Sequence, residues 1–187
     1  VYSRWLIGRN YAWIDPPKKV FAKRTWEKTS KMIGLIQSVS KASVEIDLQQ
    51  VASIDFGMLL LIGFFSGDKR NQIERFVDRV ISYRIFPDSN GKTNRSIIET
   101  KGELLIVPQF TLAADTSKGN RPSFSTALEP KTAKLFFQES VEYARTRLNV
   151  EEGVFGAHME VRSVNDGPCS YILTGWCSIS PLPRLVL

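Results

Sequence analysis

The sequence predicts an α/β domain in which sheet layers are covered on one side by two helices. Three observations predict it. Apolar residues between 32 and 65 come in short, strand-length runs. Two later stretches, 69–84 and 129–148, place apolar residues at helical spacing. Strand-like runs return at 102–110 and again beyond residue 157. Strands, helix, strand, helix, strands is the order of a layered α/β domain, and no internal repeat or second domain interrupts it.

Each element has its own signal. "MIGLIQSV" (32–39) alternates loosely and "ASVEI" (42–46) cleanly, with Val44 and Ile46 on one face, so each reads as a strand. "VASI" (51–54) and "MLLLIGFF" (58–65) follow as short strands. The continuous apolar run of the latter predicts burial on both faces. Asp68 is placed to cap a helix over 69–84, where Ile73, Phe76, Val77, Val80 and Ile81 fall on one face. "DSNGK" (88–92) is a turn centred on Asn-Gly. "GELLIVPQF" (102–110) is a strand broken by Pro108, and "LAADTSKGNRPSFS" (112–125) is a long polar loop. In 129–148, Ala133, Phe137, Val141, Ala144 and Leu148 share a helix face. Asn165-Asp166-Gly167 reads as a turn between strands at 158–164 and 169–175. Pro168 stands where the second of these strands starts, although proline cannot donate to a ladder.

At 187 residues, 43% hydrophobic and 24% charged, the chain has the composition of one soluble globular domain. No apolar run approaches the roughly 20 residues needed to cross a bilayer. The net charge of +6 is localised. Residues 1–31 hold eight basic and two acidic side chains, a surplus of six, and residues 32–187 are neutral. Residues 1–31 are therefore expected to be a basic extension outside the fold, with an RNA-binding arm as the functional alternative. The domain is expected over 32–175 and a tail over 176–187. Cys169 and Cys177, the two cysteines, form neither a disulfide framework nor a zinc pattern. A reducing, cytoplasmic setting is expected.

Familiar catalytic signals are missing. The one histidine, His158, lies in a strand-like run and reads as a surface or packing residue. There is no G-x-S-x-G elbow and no glycine-rich phosphate loop. Cys169 reads as a small core residue. Three stretches stand out instead. "PQFTLAADT" (108–116) puts Gln109 and Thr111 where a strand opens into a loop. "KGNRPSFS" (118–125) has the residues to suit a phosphate or a stacked base, or a plain Ω-loop. "NDGP" (165–168) is the third.

With "LIQSVSKASV" (35–44), "YRIFPDSNGK" (83–92), "GVFGAHMEV" (153–161) and "VNDGP" (164–168), these stretches resemble the D-aminoacyl-tRNA deacylases, also called D-tyrosyl-tRNA deacylases. The similarity runs from Met32 to about Leu173. The resemblance implies a three-layer α/β/β fold and a homodimer with active sites at the interface. It implies a pocket lined by Gln109, Phe110, Thr111, Leu112 and Ala113, with Thr111 and Gln109 as the catalytic side chains. Phe155 and Met159 match substrate-side positions. Gly167 and Pro168, joined by a cis peptide, are implied to enter the partner's site as a filter against L-amino acids. The implied reaction is hydrolysis of the ester of D-aminoacyl-tRNA, and also of mischarged glycyl-tRNA, with no cofactor and no metal. The implied partner is the acceptor end of aminoacyl-tRNA, with no membrane and no DNA. The chain departs from the family pattern at Pro108, where Ser is usual, and at Ser38, where an Arg helps fix the Gly-Pro segment. Cys169-Ser170 replaces a usual Val-Thr after Pro168, and His158 replaces an Asp. The competing reading is a non-catalytic RNA-binding homodimer that keeps the fold.

Overall fold

The computed structural model describes residues 32–175. The expected extension (1–31) and tail (176–187), with Cys177, lie outside the described residues. Eight strands and three α-helices form the domain: β1 (Ile33–Ile46), β2 (Gln49–Ile54), β3 (Gly57–Gly63), α1 (Ile73–Ile81), β4 (Phe86–Pro87), β5 (Thr93–Arg95), α2 (Ile97–Thr100), β6 (Glu103–Pro108), α3 (Pro130–Arg145), β7 (Val150–Glu152) and β8 (Glu160–Thr174). Among the described residues no helix is long and apolar enough to cross a membrane.

The main sheet runs β2-β1-β3-β6-β7, and β8 also pairs with β1. β1 is the hinge of the arrangement. Its first half, Ile33–Val39, pairs antiparallel with β3, and its second half, Ala42–Ile46, with β2. β8 runs antiparallel beside both halves. β3–β6 and β6–β7 are parallel pairs.

Side-chain alternation along β3 and β6 builds the layers. Met58, Leu60, Ile62, Leu104 and Ile106 face the helices and join α1 and α3 in one core. Leu59, Leu105 and Val107 face the other way and pack with Val39, Ala42, Val44, Ala52 and Ile54 in a second core. Helices, central strands and the curled β1–β2 ribbon are thus stacked as α/β/β. Within the run 58–65 the strand residues Met58–Leu60 and Ile62 are buried and Leu61 is half-buried, because β3 is in the middle layer, while Phe65, beyond the strand, is half-buried.

α1 buries Ile73, Phe76, Val77, Val80 and Ile81, the five residues that the helical spacing selects. It starts later than expected. Asp68 does not cap it: the N-cap position of α1 is Gln72, and the Asp68 Oδ2 accepts from the Phe65 N–H at 2.7 Å, before the helix. A 3-10 turn at 70–72 fills the gap. α3 is capped by Glu129, whose carboxylate accepts from the N–H groups of Lys131 and Thr132, with Pro130 in the first turn. Phe136 and Ser140 join its buried face, and Leu148 packs on the core from beyond the helix end.

Two expected breaks are not there. The runs 32–39 and 42–46 are one strand, because β1 changes partner without ending. The Asn-Asp-Gly turn between two strands is likewise corrected. β8 is continuous and pairs with β1 on both sides of the motif. The excursion is a bulge.

Gly57 shows how tightly the middle layer is joined. A Cβ there would lie 1.8 Å from the Glu103 carbonyl oxygen at the start of the β3–β6 pair. Gly57→Ala should lower stability by about 2 kcal/mol or more, read as a drop in urea midpoint at unchanged slope.

Candidate active site

A cleft of about 870 Å³ opens where β6 ends. Pro108 pairs with Ile62 as the last residue of β6. Proline has no N–H, and the ladder is resumed by the Gln109 N–H, which donates to the Ile62 carbonyl at 2.7 Å. The chain then turns through a 3-10 helix, 110–113. This turn puts Gln109 and Phe110 on the cleft wall. The Gln109 amide donates to the Thr111 hydroxyl. Thr111 is exposed and sits beside the cleft, one hydrogen bond from its wall.

Of the five residues expected to line the pocket, Thr111, Leu112 and Ala113 are not among the lining residues. Ala113 is fully buried, and its carbonyl accepts from the Thr126 hydroxyl. Its part in the site is to anchor the strap 114–128. That strap is cross-tied by backbone bonds between Asp115 and Ser123 at 2.8 and 3.0 Å. Hydrogen bonds from the Ser117 side chain and N–H hold the Asp115 carboxyl below its usual range. The strap returns Phe124 against Phe110, with ring centroids 5.0 Å apart at the cleft mouth.

The opposite wall comes from 153–161. Phe155 and Met159 both line it, as does His158, which is exposed. Phe155 is supported from the core by Phe137, 6.1 Å away between ring centroids. Met159 is seated against Gly153, where a Cβ would come within 2.9 Å of its sulfur. The remaining wall is the start of α3, with Glu129, Pro130 and Ala133. Hydrogen bonds from the Thr132 hydroxyl and the Lys131 N–H hold the Glu129 carboxyl below its usual range. Phe124 and Glu129 were legible as a loop aromatic and a helix start, but nothing local marks them as neighbours of Phe110 and Phe155. Among the described residues no group of three or more His, Cys, Asp or Glu could hold a metal ion.

Gly167 and Pro168 are elsewhere on the molecule. Gln37 pairs with Ser170 and Val39 with Asn165, so Ser38 alone faces the four residues Asp166–Cys169. The Gly167–Pro168 peptide is cis and Gly167 has φ 131°, in the region that favours glycine. Both residues are exposed. Val161 of β8 lines the cleft. Asn165, where the bulge begins, is four residues further along the strand, about 13 Å away at strand rise.

The family model described as D-Tyr-tRNA(Tyr) deacylase matches residues 35–174, which takes in the cleft and the bulge. The chain belongs to the D-Tyr-tRNA(Tyr) deacylase family. It is 51% identical over 144 residues to a protein of Xanthomonas oryzae pv. oryzae named D-aminoacyl-tRNA deacylase, covering 76% of this chain and 99% of that one. A protein of the same name from Shewanella oneidensis is 48% identical over 143 residues, with the same coverage. Among solved structures, the c-Myc DNA Unwinding Element Binding Protein superposes with a TM-score of 0.72 at 32% identity, over 75% of this chain and 97% of that one. A probable eukaryotic D-amino acid tRNA deacylase shares the fold, with a TM-score of 0.70 at 16% identity over 77% and 99% of the two chains. The matched residues of this deacylase-family chain begin inside β1 and end with β8, so the family pattern spans the whole layered domain.

Glu129 gives this wall of the site a pH signature. Its folded-state titration is depressed, so its stabilising contribution is present above the ordinary glutamate range and is lost as pH falls through the folded value. Glu129→Gln should melt below wild type at pH 7, and the gap should close between roughly pH 5 and pH 3. Thermal melts across that range measure it.

Proposed function

We propose that the protein hydrolyses the ester bond of D-aminoacyl-tRNA, releasing the free D-amino acid and tRNA, and that mischarged glycyl-tRNA is a second substrate. Family membership supports the reaction. The observation that carries the site assignment is the Gln109–Thr111 hydrogen bond at the mouth of an apolar cleft at the end of β6.

The chemistry does not call for a strong base in this cleft. An aminoacyl ester is already activated, so positioning supplies much of the rate. Water adds to the ester carbonyl, the bond to the terminal ribose oxygen breaks, and that oxygen leaves with a proton. Backbone N–H groups near Gln109 stabilise the oxyanion that forms on the way. The neighbouring ribose hydroxyl, donor and acceptor at once, relays the proton. Thr111, with its hydroxyl oriented by Gln109, positions the water or that ribose hydroxyl. Phe110, Phe155 and Met159 hold the substrate, while Leu112 and Ala113 support the turn from behind.

Selection against L-amino acids is assigned to Gly167 and Pro168. They lie too far along β8 to serve the cleft of their own subunit. They would act on the cleft of a second copy, where their carbonyls accept from the substrate α-amino group and leave no room for an L side chain. That is discrimination by a clash with the wrong ligand. Exposed Val164 and Ile172 on β8 offer apolar surface for the second copy. A homodimer working on tRNA in the cytoplasm is the setting this reading implies.

D-Tyr-tRNA and L-Tyr-tRNA assayed side by side test the reading. Release from the D ester and its near absence from the L ester are expected. No release from the D ester, with tRNA still bound, would leave the non-catalytic RNA-binding alternative. Thr111→Ala should lower turnover of the D ester by roughly 10²-fold with tRNA affinity nearly unchanged, since the hydroxyl acts in the transition state. An unchanged rate would remove Thr111 from the mechanism.

A further inference from the structure

We propose that Ser38 and Asn165 are positioning residues that clamp the Asp166–Cys169 bulge from both ends, and that this clamp sets how sharply the enzyme separates D from L esters. The proposal rests on the assignment of Gly167 and Pro168 as the excluding wedge.

The bulge sets four residues against one. An insertion of that size gives up ladder hydrogen bonds and needs other anchors to keep one shape. Side chains supply them. Ser38 is 5% exposed, and its hydroxyl donates to the Asp166 carbonyl at 2.6 Å. That bond ties the entry of the bulge to β1. The exit is tied by Asn165. Its Oδ1 accepts from the Cys169 N–H at 2.9 Å, and its Nδ2 donates to the Ser170 hydroxyl at 3.0 Å. Gln37 of β1 donates to the same hydroxyl at 2.9 Å, so the exit is fastened to β1 as well. Between the two ties Gly167 and Pro168 stay exposed. A Cβ on Gly167 would meet the Cys169 sulfur at 2.6 Å, so the bulge is also closed on itself.

A wedge that works by clash discriminates only as well as it resists being pushed. An L side chain that displaces it by about an ångström is accommodated, because repulsion falls steeply over that distance. The D ester does not press on the wedge; its α-amino group only donates to the wedge carbonyls, a contact that a small displacement leaves in place. Loss of an anchor should therefore raise L hydrolysis and leave D hydrolysis nearly untouched. Neither Ser38 nor Asn165 has to touch the substrate for this.

The test uses the full chain and four variants: Ser38→Ala, Asn165→Ala, the double variant, and Ser38→Thr. The kcat/KM values for D-Tyr-tRNA and L-Tyr-tRNA are measured with amide exchange across residues 164–170. Each alanine variant is expected to cut the D-over-L ratio by about tenfold or more, through faster L hydrolysis, since Ser38→Ala removes one hydrogen bond and Asn165→Ala two. D hydrolysis should stay within about twofold, and Ser38→Thr should restore the ratio because it keeps the hydroxyl. Exchange at the Cys169 amide should quicken in Asn165→Ala. If Ser38→Ala fails to fold, Asn165→Ala, outside the buried core, decides the ratio. A double variant that keeps the wild-type ratio, or loses D and L activity in equal proportion, overturns the proposal. A wild type with no D preference would remove the wedge assignment instead, and unchanged exchange at Cys169 would then dispose of the clamp separately.

Discussion

The burial of β3 and β6 on both faces is the constraint on which the rest of the domain depends. Two parallel strands with apolar side chains up and down need cover on both sides. α1 and α3 provide one cover, and the β1–β2 ribbon provides the other. To reach both positions β1 must serve β3 with its first half and β2 with its second. The cleft and the bulge are consequences. The cleft forms where β6 leaves the middle layer at Pro108. The bulge forms opposite Ser38, just before the point at which β1 changes partner.

Much of this was legible, and what was not has a common cause. The five buried positions of α1, the doubly buried run in β3 and the turn at Asn90-Gly91 are all set by neighbours within one element. β1 and β8 each carry the local signals of two strands, because those signals lapse at 40–41 and at 165–168. Continuity in both cases comes from a partner strand far away in sequence. Asn-Asp-Gly carries the same turn signal in a hairpin and in a bulge, and only pairing on both sides tells them apart. Asp68 failed as a cap for a similar reason. Its carboxylate accepts from the Phe65 N–H, and the residues at the N-cap positions of the 3-10 turn and of α1 are Lys69 and Gln72.

The site shows the same division. Gln109 and Thr111 could be found because a strand broken at Pro108 opens into a loop, and Phe110 came with them only through the resemblance. Phe155 and Met159 could be placed only through the resemblance, and Phe124 and Glu129 not at all, since the strap that brings Phe124 to Phe110 closes through bonds between Asp115 and Ser123. Leu112 and Ala113 belong to the same motif as Gln109 but do not line the cleft, and Ala113 is buried. A contiguous motif in a 3-10 turn sends successive side chains in different directions, so membership of the motif does not make each residue a wall of the cleft.

Charge narrows how such a domain can work on a polyanion. Residues 32–187 are electroneutral, so there is no broad positive field to draw in the length of an RNA. On the proposed reading the domain needs only the acceptor end, and its cations are placed to match. Lys118 and Arg121 stand on the exposed strap and Lys131 opens α3, close to the residues that line the cleft. None of the three enters an ion pair among the described residues. A few local contacts give a shallow dependence of affinity on salt, whereas a basic arm spread along the RNA gives a steep one. The surplus of six charges in residues 1–31 would be such an arm. The two contributions are separable in principle by that slope alone, and only the local one bears on which ester reaches Thr111.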